Sequence, residues 1–493
     1  MSPRPRRGTS RGGSVSGEMP VRARVLLLVL LLAGFPAGSR AARPGPPPAA
    51  KRPRLHRPHV VLLIVDTLRA DMLGCWGRGG NPSPEIDRLA REGVRFANAV
   101  AQCSWTRPSI GSLLTGRYPR SLGLYTEGNE RLPASALTLA ELLAKAGYRT
   151  IGATANPHID AMFGFDQGFA LWRDTSDRHL AFPGMPAPPG AVRVEGGVTL
   201  PPAPDLFRWV LDRTRGRGDR PWFVMVDVME VHPAGAPIRR EFWNLFAGSR
   251  PDVRRYRRAV RQVSADIGAF LAAFTRRPGF HDTLVVLASD HGHGLADHPG
   301  IPRGHLHGYL LYGTHLHVPL VFWHSRGALA PRVVEQPVRN LDLVPTLLDL
   351  LGLPLPPGLD GVSLVPLLAG ERSVPGLPSV FVAETHFDGT NKRAAWSRRW
   401  RYYRNLDHWP GTAPEELQRA GSREIGKETS LLAEYPRVAA RLAAALDAWE
   451  RKHPAVPPTP LDEDRVDPET IERLHSIGYT GAGAAPGKPR RRR

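Results

Sequence analysis

Three short stretches carry residues able to bind a metal ion or move a proton, and each closes an apolar run. Asp66 and Thr67 follow His59-Val60-Val61-Leu62-Leu63-Ile64-Val65, His232 follows Trp222 to Val228, and Asp290-His291 follows Thr283 to Ala288 before Gly292 turns the chain. Carboxylates and imidazoles bind hard or borderline divalent cations, and neutral histidine also carries protons near pH 7. A fourth stretch, Cys103-Ser104-Trp105-Thr106-Arg107-Pro108-Ser109-Ile110-Gly111-Ser112-Leu113-Leu114, sets a hydroxyl where a helix begins. Free backbone N–H groups there favour an anion. Each stretch alone has a plainer reading: Asp66 and Thr106 as helix caps, Asp290-His291 as part of a His-rich polar loop.

The elements that must position these residues decide between the readings. Residues 59–65 form a continuous apolar run, and 222–228 and 283–288 are largely apolar, the pattern of parallel strands buried on both faces. Helical patterns alternate with them over 85–93, 137–146, 205–214 and 254–275, and a further strand is expected over 149–153, leading into Asn156-Pro157-His158. That alternation predicts an α/β fold with a doubly wound, mostly parallel sheet. Open sheets of this kind bind ligands at the carboxyl ends of their strands, so Asp66, His232, Asp290 and His291 are expected along one edge.

Composition limits the alternatives. The 493 residues with 42% hydrophobic content can bury a large core. The formal net charge of +20 is concentrated in Arg4-Pro5-Arg6-Arg7, Arg254-Arg255-Tyr256-Arg257-Arg258 and Arg490-Arg491-Arg492-Arg493. No nucleic-acid module accompanies these runs, so no nucleic-acid partner is expected; a basic field favours anionic substrates. Arg22 and Arg24 precede an apolar run from Val25 to Phe35, and Ser39-Arg40-Ala41 offers a cleavage site. Residues 1–41 therefore read as an export signal, giving a periplasmic or extracellular protein, membrane-anchored if the signal stays uncleaved and otherwise with no stable membrane span. Residues 42–57 read as a linker, 179–204 as a Pro/Gly-rich surface insertion or lid, and 480–493 as a disordered basic tail. Cys75 and Cys103 permit one disulfide but read better as small core residues.

Across residues 58 to 370 the motifs resemble the sulfatase family of the alkaline phosphatase superfamily. They are Ile64-Val65-Asp66-Thr67-Leu68-Arg69-Ala70-Asp71, Ser112-Leu113-Leu114-Thr115-Gly116-Arg117-Tyr118-Pro119, Ala146-Gly147-Tyr148-Arg149-Thr150, Glu230-Val231-His232-Pro233, Ser289-Asp290-His291-Gly292, His307-Gly308 with Leu311-Tyr312, and Leu341-Asp342-Leu343-Val344-Pro345-Thr346. The resemblance implies an alkaline-phosphatase-like catalytic domain over 58–375 and a smaller C-terminal α+β subdomain over 376–479. It also implies that Asp66, Asp290 and His291 hold a divalent metal ion (Ca, Mn or Zn), that Thr106 stands at the nucleophile position and touches the ion, and that His232 and His307 bind the anionic group or protonate the leaving oxygen. Thr67 stands where many relatives have a second aspartate and is a weaker ligand candidate.

One departure changes the chemistry. Classical sulfatases begin their signature with Cys or Ser, converted to formylglycine and followed by x-Pro-x-Arg; here the residues are Thr106-Arg107-Pro108-Ser109-Ile110. Threonine carries a methyl group on its β-carbon and cannot give that aldehyde. His291, where classical sulfatases usually carry Asn, is shared with phospho-transfer relatives. Direct attack by Thr106 on a sulfuric or phosphoric ester is therefore the expected chemistry. A phosphoethanolamine-type transferase and a non-catalytic anion- or metal-binding protein are the alternatives. Of the remaining histidines, His298 or His305 could complete a second metal site but read as surface or lid residues, His315 and His317 should pack beside a strand, and His293 has no assigned role.

Overall fold

The computed structural model describes residues 52–126, 130–175, 192–193, 199–215, 220–232, 239–242, 245, 249–407, 409–421 and 429–461. The expected export signal, the basic tail and most of the 179–204 insertion lie outside them. Among the described residues no helix is long and apolar enough to cross a membrane. Cys75 and Cys103 are free thiols, the latter buried.

The main sheet contains, in chain order, β1 (His59–Val65), β2 (Val94–Val100), β3 (Arg149–Thr154), β4 (Leu171–Arg173), β5 (Trp222–Val228), β6 (Thr283–Ala288), β7 (His317–His324), β8 (Arg332–Val334) and β9 (Val338–Arg339). They lie side by side as β8-β2-β7-β6-β1-β5-β3-β4, with β9 also paired to β2. β1 runs parallel to both β5 and β6, and β3 runs parallel to β5 and β4. Only β7 runs antiparallel to its neighbours, β2 and β6. This is the expected mostly parallel sheet.

Alternation along β1 shows why its sequence is apolar after His59. Val60, Leu62 and Ile64 enter one buried cluster and Val61, Leu63 and Val65 the other. The first face is covered by α2 (Thr106–Thr115), α3 (Leu139–Lys145) and α6 (Leu343–Leu350), through Ile110, Leu113, Leu143 and Leu347. The second is covered by α1 (Pro84–Glu92), α4 (Ala203–Arg213) and α5 (Pro251–Thr275), through Leu89, Leu206, Val263 and Phe270. A strand flanked by helices on both sides has no solvent face and so no polar position.

The C-terminal region forms a separate antiparallel sheet, β10 (Val380–Thr385), β11 (Lys392–Ser397), β12 (Trp400–Asn405) and β13 (Glu415–Arg419), in that order. Val382, Ala395, Tyr402 and Leu417 pack against Leu442 and Leu446 of α7 (Pro436–Lys452), while Phe381, Ala394 and Tyr403 on the other face join the main core. The Trp400 N–H donates to Ser397 Oγ at 3.1 Å, and the chain reverses at Arg398-Arg399.

Candidate functional site

Asp66 begins where β1 ends, and its N–H still continues the ladder to Val228 O at 2.9 Å. Thr67 then takes a left-handed backbone (φ 56°), which re-aims the chain so that its N–H donates to Asp290 Oδ1 at 3.2 Å. A β-branched residue in that region is strained, and neighbours on three elements hold it there. Its hydroxyl donates to Asp66 O, and its carbonyl accepts from Tyr256 of α5 at 2.7 Å. Thr67 thus acts through its backbone, and its side chain does not face the carboxylates.

Asp290 and His291 emerge from β6 beside Asp66. Asp290 Oδ1 accepts from the His291 N–H at 2.8 Å as well as from Thr67, while Asp290 Oδ2 and Asp66 Oδ1 are buried without a hydrogen-bond partner. His291 Nδ1 lies 2.9 Å from Gly292 O. A carbonyl can only accept, so Nδ1 carries the proton and Nε2 presents a lone pair to the carboxylates. Asp66, Asp290 and His291 are fully buried, and one ligand atom from each lies within 4.8 Å of the others. Two unpaired carboxylate oxygens converging with an imidazole lone pair are mutually repulsive unless a cation sits among them or a carboxyl takes up a proton. The donor set therefore fits a divalent ion, and its oxygen and nitrogen ligands suit Ca²⁺, Mn²⁺ or Zn²⁺.

Electrostatics carry the same signature. Burial, then the charge of Asp290, pushes the Asp66 carboxyl up to about 7, and burial pushes Asp290 up to about 7 as well. Burial lowers His291, opposed in part by Asp66.

Thr106 occupies the first turn of α2, not its cap. Trp105 holds the cap position, and no side chain closes the helix end. The local pattern fits a capping threonine, but the fold turns the hydroxyl toward the strand ends. Thr106 Oγ lies 3.3 Å from Asp66 Oδ2, 3.3 Å from His291 Nε2 and 3.2 Å from Asn156 Nδ2. Behind it the Ser109 hydroxyl donates to Asp290 O at 2.6 Å, tying α2 to the end of β6.

His232 and His307 meet at the same edge, their ring centroids 4.9 Å apart. His307 also stacks on His291 at 5.1 Å with 17° between planes. Burial, then the neighbouring His291 and Arg255, lowers His232 to about 3; desolvation and four surrounding histidines hold His307 well below its ordinary value. Both rings are neutral at pH 7 in the absence of an anion. The seven positions singled out from sequence, Asp66, Thr67, Thr106, His232, Asp290, His291 and His307, therefore gather at the carboxyl ends of β1, β5 and β6.

Other residues join them without having been singled out. Asn156, following β3, donates from Nδ2 to Asp66 Oδ2 at 2.6 Å. Asp227 of β5 is fully buried with one oxygen unpartnered, and burial, then Asp66 and Asp290, holds its pKa well above the ordinary value. Asn340 donates to Ser289 O at 2.9 Å. The placement of Asn156-Pro157-His158 after a strand was the available signal. His298 corrects the surface reading: it is buried, with Nε2 2.7 Å from Thr314 Oγ. His305 is exposed, and His315 and His317 pack against Leu306 O and Ala97 O beside β7 as expected. His293 is buried with its ring 5.8 Å from His307.

The chain is similar to known proteins in sequence and in fold. The family model described as Sulfatase matches residues 58–353. Arylsulfatase A of Homo sapiens is 29% identical over 388 residues, covering 70% of this chain and 72% of its own length. A Delta 4,5-hexuronate-2-O-sulfatase of Bacteroides thetaiotaomicron is 24% identical over 492 residues, covering 86% of this chain and 94% of its own. Among solved structures, the phosphonate monoester hydrolase of Agrobacterium radiobacter superposes with a TM-score of 0.62 at 21% identity, covering 80% of this chain and 96% of that one.

Proposed function

The chain belongs to the sulfatase family of ester hydrolases, and from that premise we propose that it is an exported, metal-dependent hydrolase of sulfuric or phosphoric esters that uses Thr106 itself as nucleophile. The observation that carries this reading is the Thr106 hydroxyl, set 3.3 Å from both Asp66 Oδ2 and His291 Nε2. Asp66, Asp290 and His291 would hold the divalent ion. When bound, such an ion supplies Lewis-acid polarisation of the ester and favours ionisation of a nearby hydroxyl.

The chain's own groups account for the rest. Thr106 Oγ attacks phosphorus or sulfur, forming a threonyl ester as the bond to the leaving oxygen breaks. A bound anion offsets the desolvation that keeps His232 and His307 neutral, so one of these rings can take up the hydroxyl proton and return it to the leaving oxygen. Water then cleaves the threonyl ester by the reverse proton path. Asn156, bonded to Asp66 and Thr106, orients both. In the resting protein Thr106 is an unmodified threonine, which intact-mass measurement checks directly.

Matched aryl sulfate, phosphate monoester, phosphate diester and phosphonate monoester substrates, each assayed across Ca²⁺, Mn²⁺ and Zn²⁺, test the reading. Thr106→Ala is expected to lower turnover roughly 1000-fold or more with the melting temperature unchanged. Wild-type activity in that variant would overturn the nucleophile assignment. Metal binding without turnover of any ester would instead mark a binding protein.

A further inference from the structure

Rings beside the site are ordered outward from the metal-ligand candidates. His307 stacks on His291 at 5.1 Å, and Phe387 lies 6.3 Å from His307. Phe387 also meets Trp105, the residue before Thr106, at 5.4 Å, and Tyr309 edge-on at 5.2 Å. Trp105 and Tyr309 are buried, whereas Phe387 keeps part of its surface open. If ester cleavage occurs at Thr106 and the leaving oxygen departs at His307, the first atoms of the leaving alcohol arrive beside Phe387.

The ring is built into place. Thr385, at the end of β10, donates to Gly308 O at 2.6 Å, and the Gly308 N–H donates to Ser104 O at 2.8 Å. Gly308 has φ 85°, and a Cβ there would lie 2.6 Å from the Phe387 ring, so the ring sits directly over the backbone that carries His307. The Phe387 N–H donates to Thr390 Oγ at 3.0 Å, closing the turn beyond it. Tyr309 is fixed in turn by donating to Asp388 Oδ2 at 2.8 Å. The segment after β10 thus places an aromatic ring beside His307, at the edge of a site built by the main sheet.

We propose that Phe387 is a specificity-determining residue that favours esters whose leaving group presents a flat or apolar ring, an aryl group or the apolar face of a sugar, over short alkyl groups. This rests on the hydrolase reading for its geometry, and its test reads binding instead of turnover. The metal-supplied full chain carrying Thr106→Ala is titrated calorimetrically with phenyl phosphate and with methyl phosphate. Phenyl phosphate is expected to bind at least about tenfold tighter, and adding Phe387→Leu, which keeps apolar volume without a ring, should cut that preference about fivefold. Phe387→Tyr should retain it. Should Phe387→Leu melt below its parent, Phe387→Met supplies the same comparison with a side chain that adapts to the gap. A preference within twofold of the parent after loss of the ring overturns the proposal, as does an equal loss of both esters from a variant that melts normally. Failure of the hydrolase reading shows separately, as absence of turnover in the unsubstituted chain.

Discussion

Asn156 is the residue whose contribution is most sharply defined by geometry. Its Nδ2 donates to Asp66 Oδ2 at 2.6 Å and lies 3.2 Å from Thr106 Oγ, so one amide orients a ligand candidate and the nucleophile candidate together. Loss of such an outer partner typically costs 10–100-fold in metal affinity or activity. Asn156→Ala is expected to lower kcat by about 10–100-fold with KM changed less, because the group positions reacting atoms and does not hold the leaving group. Asn156→Asp should be worse, since it sets a third acceptor against two buried carboxylates. Steady-state kinetics of both variants, with metal titrated, checks the order; an Asp variant more active than the Ala variant would contradict it.

At the scale of elements, the joint between β5 and α4 stores a measurable penalty. Glu230, just past β5, accepts from the Ala203 N–H at the start of α4, and its second oxygen is buried without a partner. Burial pushes its pKa up to about 7. The folded-state value lies above the unfolded one, so the neutral acid's contribution is fully present below about pH 4.3 and is lost as pH rises to 7. Glu230→Gln keeps an acceptor for Ala203 and never ionises. Its stability relative to wild type should therefore grow between roughly pH 4.3 and 7, by up to about 3 kcal/mol, and level off above. Urea unfolding of both proteins across that range reads the difference directly, and a flat difference would place the acid in water. The same elements show what could be read from sequence. β1, β5 and β6 were legible because a strand covered on both faces is apolar nearly throughout, Asp227 near the end of β5 being a buried exception, and the polar residues that follow it then stand out. β13 was not, because Glu415-Glu416-Leu417-Gln418-Arg419 buries a single large apolar side chain. Thr106 read from its own segment as a helix cap and reached the nucleophile position only through the resemblance, and Phe387 reaches the site only because two sheets pack together.

On the scale of the whole molecule, those two sheets share one core, and a buried ion pair spans their junction: Arg120, after α2, pairs with Glu384 of β10 at 3.0 Å. Removing the acid leaves a buried guanidinium uncompensated, so Glu384→Ala is expected to cost about 3–5 kcal/mol. Chemical denaturation should show that loss as a single transition if the sheets unfold together.

An ion held by Asp66, Asp290 and His291 would act on the same global equilibrium through the strand ends. An ion bound only by the folded chain stabilises it by about 2.7 kcal/mol at a concentration 100 times its dissociation constant. Asp66 follows β1 and Asp290 and His291 follow β6, so unfolding of the main sheet disperses the site. Chelation is expected to lower the melting temperature by a few degrees, and adding back the correct ion should restore it. Thr106→Ala should keep most of that shift, because two carboxylates and an imidazole remain. Asp290→Asn should lose it while still folding, since its Oδ1 can accept from Thr67 and His291 as before. Calorimetric melting of the three proteins with and without chelator separates a metal that holds the strand ends from one bound elsewhere: an Asp290→Asn variant that still responds fully to chelation would remove the ion from this site.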